Sequence, residues 1–461
     1  MKRRYLGAIF SILAAAAVLA MPSPAGLDPI GHKALAVIVL AVGFWATDVL
    51  NTGITAVCAL GLLLAFKVPP AVALSGFAAS AFWILISVLF FGRAMDKTGL
   101  ARRISYRILT VFRPTYNGII FAFLVIEFVL AFGIPSMTVR AAIMAPIAWA
   151  LVKALQLPLP SRGSALIMLS TFEMAVLPGC AILTGALWGP YLTGLYASVK
   201  VPLTWLGYAK VMALPTVLWC VLILIANRIA LAPETSAPTT RELVQEQLRK
   251  LGAMSRAEIM TGIVIGLSVL AWVTQPLHHV PAEAIGMIAL TLLFATGVLV
   301  PAEIGTGISW GLALFVGGVL SLSGVITTFK IHTWLGHYIV PAIQPFASNP
   351  WLLMTAIALV VIVMRFIDPV GFISIGVVFL SLREFVAARG IDSLVLVGAI
   401  LLPLHIFWFP YQNIWIVIFD GVTGKQAYTD KDRFRTATLY FVVSLVALWA
   451  SIGYWKLIGS L

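Results

Sequence analysis

The chain alternates long apolar stretches with short polar segments along almost its whole length. A helix that crosses the hydrocarbon core of a bilayer needs about 20 mostly apolar residues. The pattern predicts about eleven such helices, over residues 5–22, 32–50, 52–66, 77–96, 163–199, 208–232, 257–275, 283–300, 305–328, 391–420 and 435–458. The sequence therefore predicts an all-α polytopic membrane protein.

The first apolar stretch has two interpretations. It follows Lys2-Arg3-Arg4 and precedes a segment of small residues and prolines, which is also the pattern of a cleaved signal peptide. Because many further spans follow it, we expect an uncleaved first helix.

Two more apolar stretches, 116–155 and 350–385, are each broken near the middle. Gly133 to Thr138 interrupts the first, and Arg365 to Gly371 interrupts the second. Each stretch fits either a re-entrant hairpin or a pair of full spans, since backbone broken at membrane depth must be satisfied within protein or a wet cavity. The short, uncharged first tip favours the hairpin.

Each hairpin precedes a span interrupted by Pro and Gly, between Pro178 and Pro190 and between Pro403 and Pro410. We therefore predict two repeats, 32–232 and 257–461, which an odd number of crossings makes inverted. Inverted repeats with broken helices are typical of secondary transporters, whose substrate binds near the midplane. The remaining segments are a first helix and loop, 1–31, and a cytoplasmic linker, 233–256, with a surface helix over 241–250.

Composition supports the membrane assignment. Hydrophobic residues make up 61% of the chain and charged residues 10%, which is too little charge for a soluble protein of 461 residues. The net charge of +13 does not indicate nucleic acid, because the basic residues cluster in short loops between spans. Placing those loops in the cytoplasm predicts an inner-membrane protein with a cytoplasmic N-terminus and a periplasmic C-terminus. The three cysteines show no CxxC spacing and indicate neither a disulfide framework nor a metal site.

Charged residues inside the membrane are costly and point to function. Arg140 follows the first tip by one helical turn, and its guanidinium suits a carboxylate or sulfate. It could equally pair with a carboxylate such as Glu173 and hold helices together.

Arg365 and Asp368 are three residues apart and can form an internal ion pair. Alternatively, Asp368 is a cation or proton site. His405 is either a group that titrates near neutral pH or a structural histidine.

Three segments carry a family resemblance: Ala36 to Ala56, which contains Trp45 and Asp48; Gly76 to Arg103; and Ser136 to Ile147. In order and spacing they resemble the divalent anion/sodium symporters, also called the sodium:sulfate or dicarboxylate symporter family. That family usually has Glu where Asp48 stands. It also has a Ser-Asn-Thr motif at each hairpin tip, whereas this chain has Ser136-Met137-Thr138 and Asp368-Pro369-Val370.

The resemblance implies an elevator-type homodimer in which helices 1–4 and 7–9 form the scaffold. It places the substrate at the two tips and the two broken helices. The implied substrate-binding residues are Ser136, Met137, Thr138, Arg140, Thr184, Pro190, Asp368, Pro369, Val370, Gly371 and Asn413.

Because both central asparagines of the sodium motifs are missing, we expect altered ion coupling. Our hypothesis is that Arg140, Arg365 and Asp368 replace part of the ion chemistry, and that Asp368 or His405 admits protons. Sodium ions and protons are the candidate coupling ions, and no other cofactor is expected.

The sequence thus predicts a secondary transporter of small divalent anions, namely di- or tricarboxylates or sulfate, with lipid as its other partner. A proton-coupled carrier or an exchanger of another organic anion is the alternative. A membrane-embedded enzyme is less favoured, since the sequence contains neither HExxH nor GxxxxGK[ST].

Overall fold

A computed structural model describes residues 2–47, 49–233, 241–366, 368 and 371–461, and within them the chain is helical, with no strand. The first part contains α1 Lys2–Ala20, α2 Pro29–Thr47, α3 Thr52–Ala65, α4 Pro70–Ala73, α5 Ser75–Ala78, α6 Ser80–Thr98, α7 Leu100–Val111, α8 Tyr116–Gly133, α9 Met137–Ala154, α10 Arg162–Val176, α11 Trp188–Ser198 and α12 Trp205–Ala230. The second contains α13 Arg241–Lys250, α14 Arg256–Val273, α15 Gln275–His278, α16 Ala282–Ala295, α17 Glu303–Thr306, α18 Trp310–Thr328, α19 Ile331–Ile343, α20 Pro350–Met364, α21 Phe372–Ala387, α22 Ser393–Leu401, α23 Ile414–Thr423 and α24 Asp430–Leu457.

The all-helical membrane architecture is confirmed. Among the described residues, eight helices are long and apolar enough to cross a membrane, and five shorter helices are also apolar. Asp48, Pro369, Val370 and residues 234–240 lie outside the described residues.

Several predicted spans differ from the observed helices. The span predicted over 163–199 is two helices, α10 and α11, and that over 391–420 is α22 and α23; in both, the Pro- and Gly-rich middle leaves the α-helix. The α-helix α19 was missed, because its histidines and proline weakened the apolar signal. The linker helix predicted over 241–250 is present as α13.

The helices pack into two groups. In the first, α18 packs against α2, α3 and α5, and α16 packs against α6 and α14. In the second, α10 packs against α8 and α9, and α12 packs against α24. The resemblance assigns the first group to a scaffold, which stays a prediction.

Small residues allow α18 to approach its neighbours closely. A Cβ atom on Gly76 would lie 2.0 Å from the carbonyl oxygen of Gly317, and the Gly76 N–H donates to Ser321 Oγ at 3.0 Å. Lipid provides no hydrophobic force that brings helices together, so close backbone packing of this kind stabilises their association instead. Gly76 therefore fixes the loop before α6 onto the middle of α18.

Two of the basic segments, α7 and the linker before α14, lie together. Arg103 of α7 donates to Glu258 of α14, to Oε1 at 2.6 Å and to Oε2 at 3.1 Å, and to the carbonyl of Gly252 at 2.8 Å. Elsewhere, Ser80 donates to Glu283 at 2.7 Å. Arg103 thus joins α7 to the end of the linker and to the first turn of α14.

We expect Arg103→Ala to lower the free energy of unfolding by about 3 kcal/mol, because it leaves the buried Glu258 carboxylate without its cation. Arg102→Ala is the matched control, since Arg102 is exposed. Thermal unfolding in detergent checks this, and equal melting temperatures for the two variants would contradict it.

Candidate functional site

The tip of the first hairpin lies between Gly133, the last residue of α8, and Met137, the first of α9. Ser136 caps α9, and its Oγ accepts from the Val139 N–H at 3.3 Å. Gly133 packs against Met95 and Ile265, so that a Cβ there would lie 3.2 Å from Ile265 Cγ2. Since Ile265 is near the midpoint of α14, the tip lies at mid-depth of that span. Because α8 and α9 are both among the eight helices long enough to cross a membrane, the choice of a re-entrant hairpin over two full spans stays a prediction.

Arg140 is completely buried behind this tip and binds carbonyl oxygens from three segments. Its Nη1 donates to Ile134 O at 2.9 Å and to Gly185 O at 2.6 Å. Its Nε donates to Ala175 O at 3.2 Å, and its Nη2 reaches Val176 O at 3.5 Å. The guanidinium therefore joins the hairpin turn to both sides of the break between α10 and α11.

The charge of Arg140 is balanced from the other arm of the hairpin. Its Nε lies 3.0 Å from Glu127 Oε2, and both side chains are fully buried. The Nε–H points toward Ala175 O, so Glu127 contributes charge rather than a well-aligned hydrogen bond. Glu173, the partner suggested by the sequence, instead accepts from Asn227.

Asp368 holds the second tip by capping α21. Its Oδ1 accepts from the Gly371 N–H at 2.8 Å, and its Oδ2 accepts from the Ser374 N–H and Oγ, each at 2.8 Å. Gly371 has φ +99°, a left-handed conformation that favours glycine. The carboxylate thus satisfies donors at the start of α21 that would otherwise be orphaned.

Arg365, which directly follows α20, is also completely buried. Its Nε donates to Leu404 O at 2.6 Å, and its Nη2 donates to Gln412 O. Leu404 and Gln412 lie on the two sides of the break between α22 and α23. Both hairpins are therefore joined to the neighbouring broken helix by an arginine that binds its carbonyls.

An aromatic cluster separates the two tips. The Trp188 ring centroid lies 4.8 Å from that of Phe372, and that of His405 lies 5.6 Å from Trp188 and 6.0 Å from Trp415. The Trp188 indole N–H donates to His405 Nε2 at 3.2 Å. Because an indole can only donate, Nε2 must accept, which requires a neutral imidazole. The proton-coupling role of His405 stays a prediction.

The other predicted site residues occupy separate places. Thr184 accepts from Trp205 Nε1 at 3.1 Å and, with Pro190, lines a cavity of about 330 Å³ on the side of α15. Asn413 caps α23, and its Nδ2 donates to His405 O at 3.3 Å. Met137 is fully buried.

A cavity of about 420 Å³ opens beside the first tip, and Ser136, Thr138, Arg93 and Asp96 are among its lining residues. Thr138 Oγ1 accepts from Trp415 Nε1 at 3.0 Å, and Ser136 Oγ accepts from an amide. In the part of the chain that the structure describes, neither hydroxyl hydrogen is given an acceptor. Both hydroxyl groups therefore line this cavity as possible donors at the N-terminus of α9, which favours negative charge.

The sequence interpretation overlooked Arg93, which lies inside the span predicted over 77–96. Arg93 Nε and Nη2 donate to Glu303 Oε1 at 3.0 and 2.9 Å, and Lys97 Nζ donates to Glu303 Oε2 at 2.6 Å. Glu303 lies outside the spans. Partial burial acts to raise its pKa, yet hydrogen bonds from Lys97, the Val300 amide and Arg93 lower the pKa to about 2. The rule that singled out Arg140, charge within an apolar stretch, would have found Arg93 too.

These features define a class: a polytopic helical membrane protein with a polar cavity at the broken tip of an internal hairpin. The family described as the sodium:sulfate symporter transmembrane region matches residues 2–461. The chain belongs to the sodium:sulfate symporter family, as the resemblance implied.

The relatives are distant in sequence, but their matches cover most of the chain. The chain is 24% identical to dicarboxylate transporter 1, chloroplastic, of Spinacia oleracea, over 82% of this chain and 68% of that protein. It is 24% identical to the putative malate transporter YflS of Bacillus subtilis, over 71% of this chain and 70% of the relative. It is 23% identical to the inner membrane protein YbhI of Escherichia coli, over 73% of each.

We expect Arg140→Met to lower the free energy of unfolding by about 3–5 kcal/mol, because Glu127 is then buried without a cation. The double variant Arg140→Met with Glu127→Gln should recover part of this loss. Thermal unfolding in detergent measures both. A double variant no more stable than the single one would contradict the pairing.

We expect Thr138→Val to weaken anion binding about tenfold, because a hydrogen bond to a charged group contributes about 1.5–3 kcal/mol. Thr138→Ser should bind as the parent does. Trp415→Phe is the control for the lost indole contact, since it leaves the Thr138 hydroxyl in place. Calorimetric titration with succinate measures the affinity of each variant. Unchanged affinity in Thr138→Val would contradict a hydrogen bond from Thr138 to the anion.

Proposed function

We propose that this protein is a secondary carrier of dicarboxylates that works without sodium, in the inner membrane with its N-terminus in the cytoplasm. The observation that carries the proposal is the buried Arg140 guanidinium, which binds four backbone carbonyls from the hairpin and the adjacent broken helix.

Several carbonyl oxygens directed at one point form the environment that hard cations prefer. Here a guanidinium attached to the chain occupies that point. Arg365 has the same relation to Leu404 and Gln412. The unwound segments are therefore organised by charges that cannot dissociate, and no bound sodium is needed to hold the first tip in place.

The substrate class is supported by the cavity at the first tip and by the relatives. Hydroxyl donors, a helix N-terminus and Arg93 share a space of about 420 Å³, which is ample for a four-carbon dianion. The names of the spinach and Bacillus relatives refer to dicarboxylate and malate transport. These names favour carboxylates over sulfate and transport over catalysis.

Exchange is the mode of transport that the fixed arginines favour. A sodium symporter releases its cations with the substrate, whereas Arg140 and Arg365 remain. The driving force is then a counter-anion or a proton gradient. The elevator movement and the homodimer implied by the resemblance are part of the same proposal. The proposed inner-membrane location is supported by the E. coli relative, which is described as an inner membrane protein.

The test is uptake of labelled succinate into proteoliposomes. We expect the same initial rate in sodium and in choline buffer, because Arg140 and Arg365 replace the exchangeable cation. We also expect faster uptake when the vesicles are preloaded with malate. Vesicles without protein are the control, and strict dependence on a sodium gradient would overturn the sodium-independent mechanism.

A further inference from the structure

Arg93 has donors that its ion pair does not use. Its Nε and Nη2 both donate to a single oxygen of Glu303, and Nη1 takes no protein acceptor among the residues described. The side chain keeps 37% of its surface exposed, although it lies within a largely apolar helix. An arginine that only held Glu303 would gain nothing from this open position.

The exposed part of the Arg93 side chain lines the cavity at the first tip. Arg93 shares that cavity with Ser136 and Thr138. The preceding residue, Gly92, packs on Ile134 at the turn, with 3.3 Å between a Cβ at Gly92 and Ile134 Cγ2. The guanidinium and the two hydroxyls therefore line one space but come from different helices, α6 and α9.

We propose that Arg93 is a substrate-binding residue that recognises the second carboxylate of the dianion, while Ser136 and Thr138 bind the first. This inference rests on the proposed function and adds a basis for choosing dianions over monoanions. Guanidinium groups bind carboxylates through paired N–H donors, and Nη1 and Nη2 form such a pair.

Glu303 keeps Arg93 in position between transport events. Lys97 and the Val300 N–H also hold the Glu303 carboxylate, at 2.6 and 3.0 Å, so it stays paired when Arg93 turns to the substrate. Asp96, one turn further along α6, also lines the cavity, and its charge opposes the anion. Lys97 thus balances the charge of Glu303 when Arg93 leaves it. The Asp96 carboxylate repels the dianion and so limits its affinity.

The experiment compares Arg93→Met with Glu303→Gln, because both remove the same ion pair but only the first removes the cavity donors. Binding of succinate and of succinamate, in which one carboxylate is an amide, is measured by calorimetry on purified full-length protein. We expect Arg93→Met to weaken succinate binding about 10- to 100-fold and to leave succinamate binding almost unchanged. Glu303→Gln, which frees the guanidinium, should bind succinate at least as tightly as the parent.

Equal loss of succinate affinity in both variants would show that Arg93 acts only through Glu303 and would overturn the inference. So would an Arg93→Met variant that binds succinate as the parent does. Arg93→Lys, which keeps the charge, is expected to recover part of the affinity if folding is intact. If the parent protein itself binds no dicarboxylate, the proposed function fails instead, so the two failures are distinguishable.

Discussion

Unsatisfied backbone carbonyls at the two helix breaks are the constraint on which this fold depends. In a bilayer there is no water to accept or donate for a broken helix, and each orphaned group costs several kcal/mol. The chain breaks α-helical structure after α10 and after α22, where a carrier needs irregular backbone. Arg140 and Arg365 supply the missing donors, since an arginine has five N–H groups and keeps its charge. Packing of both hairpins follows from these contacts.

Balancing those charges requires further buried acids. Glu127 does so for Arg140, from the opposite arm of the same hairpin, whereas Asp368 is held by the first turn of α21. The two tips are thus stabilised by different electrostatic means. Between them, the rings of Trp188, His405 and Trp415 fill the centre with aromatic surface. The polar space that remains lies to one side, against α6.

Much of this arrangement could be predicted from the sequence. The breaks near Ile134 and Asp368 and within both long spans were predicted correctly, because Pro and Gly act locally and need no tertiary information. The buried arginines were found because charge stands out in an apolar stretch. Their partners were not, since backbone carbonyls carry no sequence signal. The choice between Glu127 and Glu173 also depends on which helix faces which.

The polar cavity was the least predictable feature. Ser136 and Thr138 were expected at the site, but Arg93 was overlooked within a predicted span. Thr184 and Pro190, which the resemblance places beside the tip, line a different cavity. The sequence predicts which residues form a helix but not which neighbouring helix each side chain faces. Shared cavities are set by that direction.

The two arginines also differ in where they are attached. Arg140 lies on the second arm of its hairpin and Arg365 at the end of the first arm, yet both reach the neighbouring broken helix. The two halves thus satisfy the same backbone requirement from positions that do not correspond. Each tip is therefore fixed from a different arm, and loss of one arginine removes no contact made by the other.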